Sequence, residues 1–178
     1  MLSYIELCDL VESGVIKNVK PDAINGTSID LHLGYEILIE KKEVSVVDLS
    51  LKPRQSVGRE EVNIYDSYYD LQPYQGILAH TVEVFDLPPW ISAEYYLNSS
   101  LARNHLEHLH AGHCDPWWSD STLTLELVNL NRYHILRLRP GMRIGQVVFF
   151  KVTDVPREKG YLVKGNYNNQ TSPQKTSG

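Results

Sequence analysis

The chain has 178 residues, with 17 basic and 22 acidic side chains and a formal net charge of −5 at pH 7. This length predicts a single domain, and the acidic balance disfavours binding to a nucleic-acid backbone. No apolar run is long enough to cross a bilayer, and two cysteines, Cys8 and Cys114, are too few for a disulfide framework. We therefore expect a cytoplasmic protein with no nucleic-acid partner and no membrane partner.

A short helix is predicted at the start of the chain. Ser3 and Glu6 have the spacing of a capping box, and Gly14 supplies a left-handed stop. Apolar side chains at Ile5, Cys8 and Val11 share one helical face. The helix is therefore expected to lie within the first fourteen residues.

The chain then changes to short segments with the alternation or β-rich composition of strands. The predicted strands are 28–34, 35–40, 44–49, 76–85, 122–129, 133–139 and 145–152. Closely spaced prolines and glycines separate them, which leaves little room for further helices. The domain is predicted to be mainly β, a barrel or a sandwich.

The last residues are polar and cannot bury enough apolar surface to order themselves. The prediction is a single domain over 1–163, followed by a flexible tail, 164–178, which would order as a flap on a ligand.

Ser99, Ser100 and Arg103 place two hydroxyls and a guanidinium within one turn. This combination suits phosphate oxygens, or a water beside a carbonyl. A capped helical turn on the surface explains the same pattern equally well.

Glu126 lies in an alternating segment opposite the leucines at 123, 125 and 127. A solvated carboxylate is the simplest interpretation of this pattern. If that face lines a pocket, burial would favour the protonated carboxyl and suit it to general acid and base chemistry.

Residues 104–115 hold four of the seven histidines, together with Cys114. The run lacks the ligand spacing of known zinc motifs, so we expect no protein-bound zinc. Hydrogen-bonded structural histidines explain His108 and His110 adequately. In the later turn 140–146, Gln146 is the residue placed to offer an amide to a ligand.

Several motifs occur in a fixed order along residues 3–170: INGTSIDLHLG, NSSLAR, AGHCDPWW, TLELVN, PGMRIGQ and a terminal Tyr-x-x-Gln. Together they resemble the dCTP deaminase branch of the dUTPase-like superfamily. The resemblance implies a distorted dUTPase-like β-barrel that assembles as a homotrimer, with active sites at subunit interfaces and a C-terminal flap. It also implies a deoxycytidine nucleotide substrate, with Mg²⁺ carried by the phosphates.

The same resemblance assigns roles to residues. Glu126 would be the proton shuttle, while Ser99 and Arg103 orient the water and the base. Main-chain carbonyls between His108 and Gly112 would complete the pocket. The implied nucleotide-binding residues are Ser100, His110, Ala111, His113, Asp115, Trp118, Gln146, Tyr167 and Gln170. Among them, Asp115 would hold the deoxyribose hydroxyl, and in dUTPase members this acid helps to position the hydrolytic water.

The chain departs from the family pattern at several positions. Asn98 and Asn166 stand where family members commonly carry basic residues, and His113 stands where an arginine is usual. The loop between Asp115 and Glu126 is one residue longer than usual. Lost phosphate contacts would weaken triphosphate binding or change the phosphorylation state of the substrate, unless other basic residues compensate.

The leading prediction is hydrolytic deamination of dCTP to dUTP and ammonia. The first alternative is a bifunctional enzyme that also cleaves the triphosphate, giving dUMP and pyrophosphate. The others are a deaminase for a modified or less phosphorylated cytosine deoxynucleotide, and a non-catalytic nucleotide-binding homologue.

Overall fold

A capping box starts the N-terminal helix α1 (Tyr4–Glu12), as predicted. The Glu6 carboxylate accepts hydrogen bonds from the backbone N–H and the hydroxyl of Ser3, both at 2.9 Å. Gly14 follows the helix with a φ of 79°. The predicted apolar face is wrong at Ile5, which is 71% exposed, because the helix packs through Leu7 and Leu10 instead. The computed structural model describes residues 1–51, 54–109 and 111–176.

The rest of the described chain is mainly β-structure. The strands are β1 (Ile16–Lys17), β2 (Ile29–His32), β3 (Glu36–Glu40), β4 (Arg59–Asn63), β5 (Tyr69–Leu71), β6 (Gly76–Phe85), β7 (Ile91–Leu97), β8 (Leu106–His108), β9 (His113–Cys114), β10 (Ser121–Asn129), β11 (Leu136–Leu138) and β12 (Arg143–Lys151). Two further short helices are α2 (Ser99–Ala102) and α3 (Tyr161–Lys164).

The strands pair into sheets of six, four and two strands. The largest has the order β4–β3–β6–β10–β8, with β1 also paired to β6. The second has the order β2–β12–β7–β9, and β5 pairs with β11. Every strand pair is antiparallel. Within the described ranges, this pairing does not close into one continuous barrel.

One hydrophobic core joins the two larger sheets. Phe85 of β6 and Phe149 of β12 are fully buried, with ring centroids 6.4 Å apart. Trp118 stacks on the other side of the same cluster, 5.3 Å from Phe85. Burial of these large apolar groups fixes β10 and the turn before it against the core.

The predictions of a mainly β fold and a short N-terminal helix are confirmed. The predicted strand 44–49 is wrong, because this segment lies in the connection between β3 and β4 and pairs with no strand among the described residues. Val44 and Val46 are almost fully exposed there. The segment has an alternating sequence, but no described neighbouring strand provides the hydrogen bonds that would make it a strand. The sequence pattern does not predict β7, because its first three residues are all buried and so lack the alternation that marks a half-buried strand.

No helix in the described part of the chain combines the length and the apolar character needed to cross a membrane.

Candidate active site

A cavity of about 430 Å³ opens beside β10. Residues from β10, from the turn before it, from the β3–β4 connection and from the tail form its wall. Among the residues that the sequence singles out, the cavity brings together Ala111, His113, Asp115, Trp118, Glu126, Tyr167 and Gln170. A carboxylate predicted to move protons and the residues predicted to close on a nucleotide therefore share one space.

Glu126 faces this cavity because β10 alternates. Leu125 and Leu127 are fully buried in the core, which turns the carboxylate of Glu126 to the opposite face. The side chain is 28% exposed, so it is half-buried and not freely solvated. The sequence pattern alone favours a solvated carboxylate, whereas in the structure the side chain lines the cavity; its acid–base role stays a prediction.

His108 is the register partner of Leu127 in the β8–β10 pair, which brings its imidazole near the adjacent Glu126. Its Nε2 lies 3.4 Å from Glu126 Oε2, and both atoms are buried without a hydrogen-bond partner in the described structure. The Tyr95 ring meets the imidazole edge-on, with centroids 4.6 Å apart. The expectation of a hydrogen-bonded structural histidine is therefore wrong at Nε2. Sequence reasoning missed this contact because it depends on the pairing of two strands.

Strand β9 and the residue after it, Asp115, contribute to the cavity wall. His113 lies between two carboxylates, with Nε2 3.3 Å from Asp115 Oδ1 and Nδ1 3.8 Å from Glu94 Oε1. Cys114 points into the core, and burial, assisted by the charge of Asp115, raises the pKa of its thiol to about 12. This thiol is therefore protonated at neutral pH and is not a nucleophile.

The tail runs along β10 and covers one side of the cavity. Trp118 Nε1 donates to the Tyr167 carbonyl at 2.7 Å, and the Gln170 carbonyl accepts from the Thr122 backbone N–H at 2.8 Å. The Gln170 Oε1 atom is buried in this wall without a hydrogen-bond partner in the described structure. The division into a domain over 1–163 and a flexible flap over 164–178 stays a prediction.

A second, polar cavity of about 270 Å³ lies beside α2 and β12. Its lining residues are Asn25, Ser28, Asp30, Asn98, Ser99, Arg143, Gly145 and Gln146. Ser28 Oγ donates to Gln146 Oε1 at 2.8 Å, which orients the amide. Of the predicted residues, Ser99 and Gln146 belong to this cavity, whereas Ser100 and Arg103 are in neither described lining.

The two cavities share no described lining residue. One chain therefore separates the predicted site into a group around Glu126 and a group around Ser99. His110, also predicted as a site residue, lies outside the described residues. Within 1–51, 54–109 and 111–176, no three His, Cys, Asp or Glu side chains are grouped so that they could hold a metal ion.

Comparison with known proteins decides the family. The family model described as "dCTP deaminase-like" matches residues 1–152. The chain belongs to this family. The "dCTP deaminase, dUMP-forming" of Aquifex aeolicus is 36% identical over 174 residues, which cover 96% of this chain and 90% of the relative. The protein of the same name from Persephonella marina is 35% identical over 172 residues, with coverages of 96% and 92%.

A solved dCTP deaminase structure supports the fold. The crystal structure of 2'-deoxycytidine 5'-triphosphate deaminase from Agrobacterium tumefaciens aligns with a TM-score of 0.65 and 19% identity. The alignment covers 83% of this chain and 46% of that chain, so this chain spans about half of the solved protein. At this identity the likeness shows the fold alone.

One departure from the dCTP deaminase pattern has a local structural explanation. Asn98 is the N-cap of α2, where its side-chain oxygen accepts from the backbone N–H of Ser100 at 2.9 Å. A basic residue cannot accept this hydrogen bond, so the asparagine stabilises the turn that presents Ser99.

Proposed function

We propose that the protein hydrolytically deaminates dCTP and cleaves the triphosphate of the product, giving ammonia, dUMP and pyrophosphate. The observation that carries this proposal is the presence of Glu126 and Asp115 in one cavity. The names of the 31–36% identical relatives, all "dCTP deaminase, dUMP-forming", favour this reaction over release of dUTP. The bifunctional alternative is therefore better supported than the leading prediction from sequence.

In the deamination step, Glu126 accepts a proton from the water that adds to C4 of the cytosine ring. It delivers this proton to N3, then takes the proton of the new C4 hydroxyl and passes it to the amino group. Ammonia leaves as the C4–N4 bond breaks and the C4 carbonyl forms, and the carboxylate is regenerated. Ser99 and Arg103 orient the water and the base. The half-buried position of Glu126 beside His108 supports this role, since the carboxylate is held away from bulk water.

In the second step, a water attacks the α-phosphorus of the uracil nucleotide and pyrophosphate leaves. Asp115, 56% exposed at its side chain, is placed to hold the deoxyribose hydroxyl and to position this water. Mg²⁺ would arrive with the substrate and neutralise phosphate charge. The groups proposed to bind phosphates are Ser100, Gln146, Tyr167 and Gln170, with Ala111, His113 and Trp118 around the sugar and base.

We further propose that the active sites form between the subunits of a homotrimer. The support is the separation of the predicted site within one chain, since Ser99 and Glu126 line different cavities. A nucleotide contacted by both groups requires the second cavity of one subunit to approach the first cavity of its neighbour. The free cysteines, Cys8 and Cys114, support a reducing cytoplasmic location.

The test is incubation of the protein with dCTP and Mg²⁺, followed by chromatographic separation of nucleotides and an assay for ammonia. We expect dUMP, pyrophosphate and ammonia. Replacing Glu126→Gln should lower ammonia release by at least about a hundredfold, because the proton shuttle is removed. Glu12→Gln, at an exposed carboxylate at the end of α1, is the matched control and should retain activity.

Three outcomes would contradict the proposal in different ways. Release of dUTP alone would assign a deaminase without the phosphate-cleaving step. Turnover of dCMP or 5-methyl-dCTP, but not of dCTP, would assign a different cytosine deoxynucleotide. Binding of all these nucleotides without any product would favour the non-catalytic homologue.

A further inference from the structure

Trp117 adopts a backbone conformation that large side chains avoid. Its φ is 70°, in the left-handed region where a residue with a Cβ atom is strained. The residue lies between Asp115 and Trp118, which both line the large cavity. Strain of this kind persists only where the surrounding contacts hold it.

The contacts that hold Trp117 come from residues 155–161, just before the tail. The indole Nε1 donates to the Val155 carbonyl at 2.8 Å. The ring lies against the backbone of Gly160, because a Cβ atom added there would come within 2.1 Å of Trp117 Cδ1. The base of the tail is therefore packed directly on the turn that carries Asp115.

The connection continues into the residues that cover the cavity. The Tyr161 backbone N–H donates to the Pro116 carbonyl at 3.0 Å, and the Tyr161 carbonyl accepts from Asn168 Nδ2 at 3.1 Å. Tyr161 itself lines the cavity beside Tyr167. Through Asn168, Tyr161 thus contributes to the placement of the tail, together with the contacts that Trp118 and Thr122 make to Tyr167 and Gln170.

We propose that Trp117 is a positioning residue that fixes the base of the tail against the Asp115 turn, so that Tyr167 and Gln170 cover the cavity before a nucleotide binds. This inference deepens the proposed function, and its effect on the kinetics rests on that function. Its effect on the position of the tail does not depend on what the protein catalyses. Trp117→Gly would relieve the backbone strain but would lose the ring that packs on Gly160.

The first measurement is limited trypsin digestion without nucleotide, since Lys159 and Lys164 are exposed beside the Trp117 contact. In Trp117→Gly we expect cleavage in this segment to be about tenfold faster than in the wild type, because the segment opens locally more often. Thermal unfolding of the rest of the domain should change little, since Trp117 is outside the buried core. Equal cleavage rates in the two proteins would overturn the proposal.

A double-mutant cycle separates this contact from a general loss of stability. Gly160 has a φ of −75°, which alanine adopts without strain, so Gly160→Ala acts only by displacing the Trp117 ring. It should accelerate cleavage in the wild type and add nothing in the Trp117→Gly background. Gly26→Ala, which places its Cβ in open space, is the control. Additive effects of Trp117→Gly and Gly160→Ala would overturn the proposal.

The kinetic readout is a split between KM and kcat. With the tail less well positioned, the KM for dCTP should rise by about tenfold in Trp117→Gly, with a smaller change in kcat. A fall in kcat at unchanged KM would contradict the positioning role. If the wild type turns over no nucleotide, the proposed function fails, while the digestion and the double-mutant cycle still decide the role of Trp117.

Discussion

At the scale of single residues, the immediate environment of Glu126 matters most for the chemistry. A carboxylate that accepts and returns protons must keep one orientation through several steps, and a half-buried side chain with a single polar neighbour satisfies this need. His108 is that neighbour, at 3.4 Å, and its own orientation is set by the edge of the Tyr95 ring. Nothing else described in the cavity pairs with the Oε2 atom.

Replacing His108→Phe should therefore lower kcat for deamination by at least about tenfold and leave KM nearly unchanged. The phenyl ring preserves the packing on Tyr95 but leaves the carboxylate facing an apolar surface. His108→Gln, which keeps a polar group beside Glu126, should recover part of the activity. Steady-state kinetics check this prediction, with His134→Phe at an exposed histidine as the control. Equal kcat values for wild type and His108→Phe would refute it.

At the scale of secondary-structure elements, a buried hydrogen-bonded pair of His32 and Glu83 links β2 to β6. The Glu83 carboxylate is fully buried and accepts from His32 Nδ1 at 2.7 Å and from the His32 backbone N–H at 2.9 Å. Burial raises the pKa of Glu83, and the contacts with His32 oppose this shift. The pair joins the two larger sheets, since β2 belongs to the four-stranded sheet and β6, which pairs with β10, to the six-stranded one.

Glu83→Ala should lower the free energy of unfolding by about 3–5 kcal/mol, because both His32 donors lose their acceptor inside the protein. Glu83→Gln keeps one acceptor and should cost less. Glu60→Ala, at an exposed carboxylate on β4, should have little effect. Urea denaturation followed by circular dichroism measures all three variants, and equal midpoints for Glu83→Ala and Glu60→Ala would contradict the stabilising role.

At the scale of the whole molecule, the two cavities of one chain require a second copy if both groups bind the same nucleotide. Subunits carrying Glu126→Gln retain an intact Ser99 at the second cavity, and subunits carrying Ser99→Ala retain an intact Glu126 at the first. Random mixing at equal amounts should restore about a quarter of the sites. A site is active only when both subunits that form it contribute their intact group, and each does so in about half of the cases.

The measurement is deaminase activity after the two inactive variants are dissociated, mixed and reassembled. Each variant reassembled alone is the control and should stay inactive. Activity that remains at the level of these controls would show that both groups act within one chain, and the interface arrangement would be wrong.

The sequence predicts local features of this fold better than it predicts contacts between strands. The capping box at Ser3 and the alternating leucines of β10 are local, so α1 and the orientation of Glu126 could be predicted. The side-chain contact between His108 and Glu126, and the exposure of residues 44–49, depend on which strands become neighbours. The strained backbone of Trp117 also has no local signal, since glycine or asparagine is the usual residue in that conformation.

The position of Trp118 gives the protein its own optical reporter. Its indole stacks on Phe85, donates to the Tyr167 carbonyl and forms part of the cavity wall. Detachment of the tail would expose this ring to water and remove its hydrogen bond, which would shift its emission. Any such detachment of the tail could thus be followed by tryptophan fluorescence in solution without attaching a dye.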